Sequence, residues 1–514
     1  MILKHDAYKM ITSNIIGFQL SAFSGKEIFS FDPALQVVLP EGFSVATTEE
    51  VNLAMQKANA AWPVYRNLPG KARATFLRTI ADGIEGLGAE LIHRIRLETA
   101  YPEARIIVER NRTCMQLRMF AEVAENETWR EITTDEALPN RTPAPRPELK
   151  RMMIPLGPVV VFGASNFPLA YSTAGGDVAS ALAVGCPVVV KAHDSHLGTN
   201  ALVAEVIMQA AKTTGMPDGV FSSLNGNGFE TGKLLVQHEF TSAVGFTGSL
   251  AGGRALFDLG HQRAKPIPVF AEMGSVNPIF ILPGALRGEW KEVVKKLVTS
   301  MTMTVGQFCT NPGILILQRN EQRDGFFDAI KSELEIIEAQ PLLNPGIARS
   351  FHKGIQQVQS GGYAHILSNR NAEGQVASPV LAVCDSDVFF AHPSLHHEIF
   401  GPYSLIVECS DGDEMRRVAN SIEGQLTASI FAGPGESAAV KALTDILMTR
   451  VGRIILNGVP TGVEVCAAMT HGGPYPASTD SRFTAVGHYA VRRWIRPVTL
   501  QNFDKHTYPD ILHD

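Results

Sequence analysis

The sequence predicts an α/β protein whose core is a parallel sheet covered by helices on both faces. Two observations carry that reading. From Pro158 onward, runs that are apolar throughout alternate with helical stretches, and a strand buried on both faces is apolar along its whole length. The chain is also large enough, since 514 residues with 45% hydrophobic content support two or three domains with substantial cores.

The elements follow in order. Met10 to Pro40 reads as short segments broken by turns at Ser24-Gly25 and Asp32-Pro33, which predicts a small antiparallel sheet. Thr47-Thr48-Glu49-Glu50 is a helix-start pattern for a helix reaching about Trp62. Helical patterns rich in alanine, leucine and paired charges fill Gly70 to Glu127 and read as scaffold. The stretch from Pro139 to Pro147 is too proline-dense for a helix or a central strand, and reads as an arm for assembly. Strands are then expected at residues 159–163, 187–191, 220–224, 243–246 and 267–270. Helices are expected after Pro168 and over residues 198–212, 230–238 and 250–261. Crossover helices between successive strands make the sheet parallel.

The net charge of -6 carries no clustered basic excess, which argues against a nucleic-acid or membrane-surface partner. The six cysteines, Cys114, Cys186, Cys309, Cys384, Cys409 and Cys466, are far apart. That excludes a disulfide scaffold and a zinc motif, and points to a reducing cytoplasm. Met1-Ile2-Leu3-Lys4-His5-Asp6 lacks a signal-peptide layout. No apolar run reaches the roughly 18 residues of a membrane span.

Ligands of parallel sheets gather at the carboxyl ends of the strands. Those ends are Gly163-Ala164-Ser165-Asn166-Phe167-Pro168, Lys191-Ala192-His193-Asp194, Phe246-Thr247-Gly248-Ser249 and Glu272-Met273-Gly274-Ser275. Glycine and serine at a helix start let backbone N–H groups approach a phosphate, and a strand-end lysine can bind ribose or phosphate oxygens. The glycine-rich dinucleotide fingerprint is absent, so nucleotide binding and plain packing turns both stay open on this ground. Further on, Cys309 stands between small and polar residues, after an apolar helical run and before the strand-like Ile314-Leu315-Ile316-Leu317. That placement favours an exposed thiol, although a lone cysteine also reads as a small buried hydrophobe.

Six motifs change the weight of these readings. Ser165-Asn166-Phe167-Pro168-Leu169, Val190-Lys191, Phe246-Thr247-Gly248-Ser249, Glu272-Met273-Gly274-Ser275-Val276-Asn277-Pro278, Gly306-Gln307-Phe308-Cys309-Thr310 and Glu398-Ile399-Phe400-Gly401-Pro402 occur in this order. Together they resemble the aldehyde dehydrogenase superfamily over nearly the whole chain. The resemblance implies a Rossmann-type dinucleotide-binding domain (1–128 and 150–272), an α/β catalytic domain (273–484) and a small β oligomerisation arm (129–149 and 485–514). It implies Cys309 as nucleophile, Asn166 with the Cys309 backbone N–H as oxyanion hole, and Glu272 as general base on the cysteine and on water. Around a nicotinamide dinucleotide it implies Ala164 and Ser165 along the cleft, Lys191 at the adenosine ribose, and Gly228, Gly232 and Ser249 under the adenine and pyrophosphate. Met273 and Gly274 are implied at the nicotinamide, Glu398 and Phe400 at its ribose, and no metal. The chemistry explains the thiol: a carbonyl carbon has no electron pair with which to expel hydride, whereas a tetrahedral thiohemiacetal can. Two positions depart from the family pattern. Ser165 replaces an aromatic residue and is expected to widen the substrate tunnel, and Asp177 replaces a lysine.

Within the superfamily, residues 162–168, 174–182, 271–278 and 456–463 resemble the α-ketoglutaric semialdehyde (2,5-dioxopentanoate) dehydrogenases, a branch that also holds NADP-linked fatty-aldehyde dehydrogenases. This implies a cytoplasmic homodimer or homotetramer making 2-oxoglutarate, with medium- or long-chain aldehydes as the alternative substrates. Arg453, Arg482 and His471 are the cations that could meet a substrate carboxylate. NADP is favoured over NAD, since Lys191 and His193 could receive a 2′-phosphate, whereas Asp194 would repel one and accept the 2′-hydroxyl of NAD. The β-prone run from Ala490 to Leu500 is expected to pair with the arm and to offer an edge for dimerisation. Two rival classes stand beside this reading. A thiol esterase would use the same Cys309, Asn166 and Glu272 without dinucleotide, and a non-catalytic protein on the fold would show no Cys309 reactivity.

Overall fold

Valine-rich strands organise the first sheet. In the computed structural model, which describes residues 10–288, 290–370, 372–503 and 505–508, Val159–Phe162 and Val188–Lys191 are buried at every position. The Met1–Asp6 lead lies outside the described residues. Across the sheet the order is Val269–Glu272, Ala243–Thr247, Val159–Phe162, Val188–Lys191, Phe221–Leu224, Asn14–Ile16 and Gln19–Ser21. The first five strands are parallel and the last two are added antiparallel. The chain leaves Val159–Phe162 to one side for two strands, then returns to its other side. The order therefore reverses between Val159–Phe162 and Ala243–Thr247, and the crevice at their carboxyl ends is where such sheets take ligands.

The expected N-terminal sheet is divided. Asn14–Ile16 joins the main sheet because Ile15 and Ile16 are buried there and the Asn14 carbonyl Oδ1 accepts from the Asn225 backbone N–H at 2.8 Å. Among the described residues, Glu27–Asp32 pairs only with Val37–Ser44. Helix α1 (Thr48–Tyr65) starts with a complete capping box, in which the Thr47 side chain accepts from the Glu50 N–H and Glu50 accepts from the Thr47 N–H. Helices α2 (Gly70–Gly86), α3 (Gly88–Thr99) and α4 (Glu103–Asn126) follow, with α4 packed on α2 and on α5 (Gly176–Ala183). The helix expected directly after Pro168 begins only at Gly176. The backbone N–H groups of Leu169 and Ala170 instead donate to Glu109 Oε1 on α4, at 2.9 and 3.0 Å, which holds that stretch as a loop. Helices α6 (Leu197–Thr213), α7 (Gly228–Gln237) and α8 (Leu250–His261) complete the alternation. The last strand is Val269–Glu272, two residues later than expected: Pro268 cannot donate to the ladder, and Glu272 becomes a strand residue.

A second seven-stranded sheet runs His365–Asn369, Val380–Asp385, Tyr403–Cys409, Ile314–Gln318, Ile279–Ile281, Gln425–Phe431 and Val451–Leu456, parallel except for the first. Helix α9 (Trp290–Thr302) connects its first two strands in sequence. A third sheet pairs Ile495–Gln501 with Leu149–Pro155, which pairs in turn with Thr133–Asp135; of the expected partner region the terminal strand reaches Leu149 and Lys150, and the rest of its pairing lies on residues 151–155. Within the β-prone terminal run, residues 490–494 belong to a 3-10 helix, His488–Trp494. Burial overrides propensity here: Trp494 is fully buried with its Nε1 donating to Ser180 Oγ at 2.7 Å, and Arg493 pairs with Asp177 of α5 at 2.7 Å. Asp177, the position where a lysine was expected, thus ties the C-terminal segment to α5. No helix among the described residues is long and apolar enough to cross a membrane.

Candidate active site at the meeting of two cavities

The loop that carries Cys309 is held under strain. After α9 the residues Thr304, Val305 and Gly306 have φ of 51°, 57° and 63°, a left-handed run that is costly for two β-branched side chains. Gly306 is required there, because a side chain would strike the Gly401 carbonyl. Arg105 of α4 clamps the run: its Nε donates to Thr304 Oγ1 at 3.0 Å, its Nη2 to the Asn166 carbonyl at 2.9 Å, and its Nη1 pairs with Glu109 at 2.8 Å. Asn277 donates from Nδ2 to the carbonyls of Cys309 and Asn311, at 2.8 and 2.9 Å. Asn166 in turn donates from Nδ2 to the Gln307 carbonyl at 2.9 Å, which leaves its second N–H free of that bond. The asparagine and the cysteine, distant in sequence, are thereby fixed to one another.

Around the sulfur stand two further groups. His471 Nε2 lies 3.7 Å from Cys309 Sγ and 3.0 Å from Glu272 Oε2, and the three ligand-type atoms are all within 4.8 Å of one another. Glu272 and His471 are 5% and 1% exposed. The Glu272 Oε2 contact has ion-pair distance without hydrogen-bond alignment, so this buried oxygen keeps its accepting capacity. Burial, and next the charge of Glu272, push the Cys309 thiol well above its ordinary range. At neutral pH the sulfur therefore holds its proton until a neighbour takes it. The three atoms are also close enough to hold a soft cation, which would occupy the same sulfur.

Two cavities reach Cys309 from different sides, and among the described residues it alone lines both. One, of about 910 Å³, is walled by Tyr101, Arg105, Glu109 and Arg112 of the α3–α4 region, by Phe167, Tyr171 and Phe308, and by Arg453 and residues 461–464. The other, of about 350 Å³, lies at the switch point of the first sheet and is lined by Ala164, Ser165, Asn166, Ser249, Glu272, Met273, Gly274, Glu398 and Phe400. It continues into an outer cavity of about 950 Å³ that shares Ser249, Gly274, Glu398 and Phe400. This cleft fits a phosphate-bearing dinucleotide. Its floor needs bare backbone, since a side chain at Gly274 would strike the Glu398 carboxylate, and Ser249 caps α8 by accepting from the Gly252 N–H, so a helix N-terminus opens onto it.

The remaining expected residues lie along the same sheet edge. Lys191 ends its strand and pairs with Asp194 at 2.5 Å, Gly228 begins α7, and Gly232 packs its backbone against the Phe162 ring. His193 stacks on His196, its Nδ1 accepts from the Ser195 N–H, and burial pushes it well below its ordinary range. Burial thus works against the positive charge expected of it at a 2′-phosphate. Ser165 lines the switch-point cleft and not the larger cavity, so it does not widen the tunnel; Phe167, Tyr171 and Phe308 set that wall. Of the three expected carboxylate partners, Arg482 has a side chain 79% exposed and paired with Asp480, and His471 sits beside the sulfur. Only Arg453 faces the larger cavity. Helix α4, expected as scaffold, contributes Arg105, Glu109 and Arg112 to the wall.

A parallel sheet with a switch-point cleft, and a thiol beside a carboxylate and an imidazole where that cleft meets a second cavity, define an enzyme class that works through a covalent thiol adduct. Residues 21–497 match the Aldehyde dehydrogenase family, and the chain belongs to that family. It is 44% identical over 503 residues to alpha-ketoglutaric semialdehyde dehydrogenase 2 of Azospirillum brasilense, covering 97% of this chain and 96% of the relative. It is 42% identical over 475 residues to alpha-ketoglutaric semialdehyde dehydrogenase of Acinetobacter baylyi, covering 92% and 90%. Among solved structures, betaine aldehyde dehydrogenase of Staphylococcus aureus in complex with NAD+ superposes with a TM-score of 0.83 at 19% identity, covering 96% of each chain.

Proposed function

We propose that this aldehyde dehydrogenase oxidises α-ketoglutaric semialdehyde to 2-oxoglutarate through a covalent adduct on Cys309. The observation that carries the chemistry is the position of the sulfur, at the one point where the two cavities meet. The substrate rests on the relatives at 44% and 42% identity, both named for that aldehyde. His471 takes the thiol proton, and the neighbouring Glu272 carboxylate stabilises the imidazolium. The sulfur adds to the aldehyde carbon, and the free N–H of Asn166 with the Cys309 backbone N–H receives the oxyanion. A nicotinamide dinucleotide held in the cleft by Ser165, Lys191, Ser249, Gly274 and Glu398 supplies the hydride acceptor. Cys309 is left as a thioester, and Glu272 Oε2, with no aligned donor of its own, takes a proton from the water that hydrolyses it.

NADP is the proposed preference and NAD the alternative; Lys191 is the charge a 2′-phosphate would meet, and it must leave Asp194 to do so. We assign residues 1–128 and 150–272 to dinucleotide binding, 273–484 to catalysis, and 129–149 with 485–514 to assembly as a homodimer or homotetramer through the exposed edge Ile495–Gln501. Six free cysteines support a reducing, cytoplasmic setting. The deciding experiment compares kcat/KM for 2,5-dioxopentanoate and for a medium-chain alkanal, each with NAD and with NADP. Preference for the alkanal removes the substrate assignment and leaves the thiol mechanism. Undiminished turnover by Cys309→Ala removes both.

A further inference from the structure

The larger cavity holds more positive charge than its own walls neutralise. Arg105 is committed to Glu109 at 2.8 Å, and Glu109 Oε1 is saturated by the N–H groups of Leu169 and Ala170. Arg112 and Arg453 have no such partner: among the described residues neither forms an ion pair. Arg112 uses Nη2 to donate to the Tyr171 hydroxyl at 3.2 Å, and Arg453 uses Nη1 and Nη2 on the carbonyls of Gly462 and Pro460 at 3.0 and 2.6 Å. In each guanidinium the Nε is buried without any hydrogen-bond partner. The remaining acid of the wall, Glu464, is exposed and accepts from the N–H of its own neighbour Val465.

From this arrangement we infer that Arg112 and Arg453 are the specificity-determining pair that receives the carboxylate of a short oxo acid while its aldehyde end reaches Cys309. The inference rests on the aldehyde oxidation proposed above and deepens it. Two guanidinium charges without a counter-ion line the cavity, and a carboxylate supplies that counter-charge with charge-assisted hydrogen bonds from the Nη groups. Arg112, Arg453, Tyr171 and Cys309 all line this one cavity, so a carboxylate on the molecule whose aldehyde end meets Cys309 shares the space with both guanidinium groups. An unsubstituted alkanal leaves both unpaired beside an apolar chain, which costs affinity where the oxo acid gains it. One residue comes from a helix of the first half of the chain and the other from the last strand of the second sheet, so the pair exists only in the folded enzyme.

The test measures kcat/KM for 2,5-dioxopentanoate and for pentanal with the full-length enzyme and saturating dinucleotide, in the wild type and in Arg112→Met, Arg453→Met and the corresponding lysine variants. The ratio of the two values should fall by about 10- to 100-fold in each methionine variant, through KM for the oxo acid, and recover in part in the lysine variants. In parallel, 2-oxoglutarate should protect Cys309 from iodoacetamide in the wild type and fail to do so in the methionine variants, with a dinucleotide-induced thermal shift reporting an intact fold. An equal loss on both substrates, or an unchanged ratio with protection retained, overturns the arginine pair alone. A wild type that prefers pentanal overturns the substrate reading and the pair together.

Discussion

Replacing Glu272 by glutamine should move two properties of the enzyme in opposite directions. The carboxylate lies no more than 4.8 Å from the Cys309 sulfur, and at an effective dielectric of about 20 a unit charge at that distance is worth about 3 kcal/mol. That equals about two pH units in the titration of the thiol. The Cys309 pKa is held above its ordinary value by burial first and by this charge second, so removing the charge brings it down and thiolate forms at lower pH. Alkylation by iodoacetamide, measured as a pseudo-first-order rate from neutral to alkaline pH, should become up to about 100-fold faster at a fixed pH below the titration. Thioester hydrolysis loses its base and should slow by about 10²- to 10⁴-fold, so mixing with substrate gives a stoichiometric burst of reduced nicotinamide followed by a crawl. A variant that alkylates more slowly than wild type at every pH would refute the electrostatic argument and make Glu272 the base for the thiol itself.

Three further outcomes are expected. Asn166→Ala should lower kcat by about 10²- to 10³-fold while the thermal shift with dinucleotide persists, and unfolding titrations should register the donor lost by the Gln307 carbonyl as about 1–3 kcal/mol. Asp194→Asn releases Lys191 and should raise the NADP-to-NAD ratio of kcat/KM about tenfold; an unchanged ratio removes Lys191 as the reader of the 2′-phosphate. Asp177→Ala leaves Arg493, 4% exposed, as an uncompensated buried charge and should cost about 3–5 kcal/mol in urea unfolding, with little change in Cys309 alkylation.

The first sheet was legible because its strands are apolar at every position, and α1 because its capping box is a local pattern. The cleft residues Ala164, Ser165, Ser249, Met273 and Gly274 follow strands and Glu272 ends one, which is why strand ends pointed to them. His471 was not found beside the sulfur: it lies 162 residues from Cys309, and no period or spacing links the two. Arg105, Glu109 and Arg112 recur at helical spacing on one face of α4, so the face was legible but not the cavity it meets. The tunnel-widening expected of Ser165, besides its place in the cleft, fails because the direction of a loop residue depends on the hydrogen bonds of its neighbours, here Asn166 to Gln307 and Leu169 to Glu109. Residues 490–494 of the β-prone run form part of a 3-10 helix because β propensity is a weak preference beside the burial of one tryptophan.

The single residue shared by the two cavities separates two evolutionary problems. The larger chamber is furnished by α4, the Phe167–Tyr171 loop and residues 453–469, whereas the smaller is furnished by strand ends and the start of α8. Under the proposed function, a lineage of this enzyme can therefore be refitted for a different aldehyde by exchanging side chains of the larger chamber that line no part of the smaller one. Such a trial stays in one room of the building unless it falls on Arg105, which holds the Asn166 carbonyl from the far side of the wall, or on the doorway itself, Cys309.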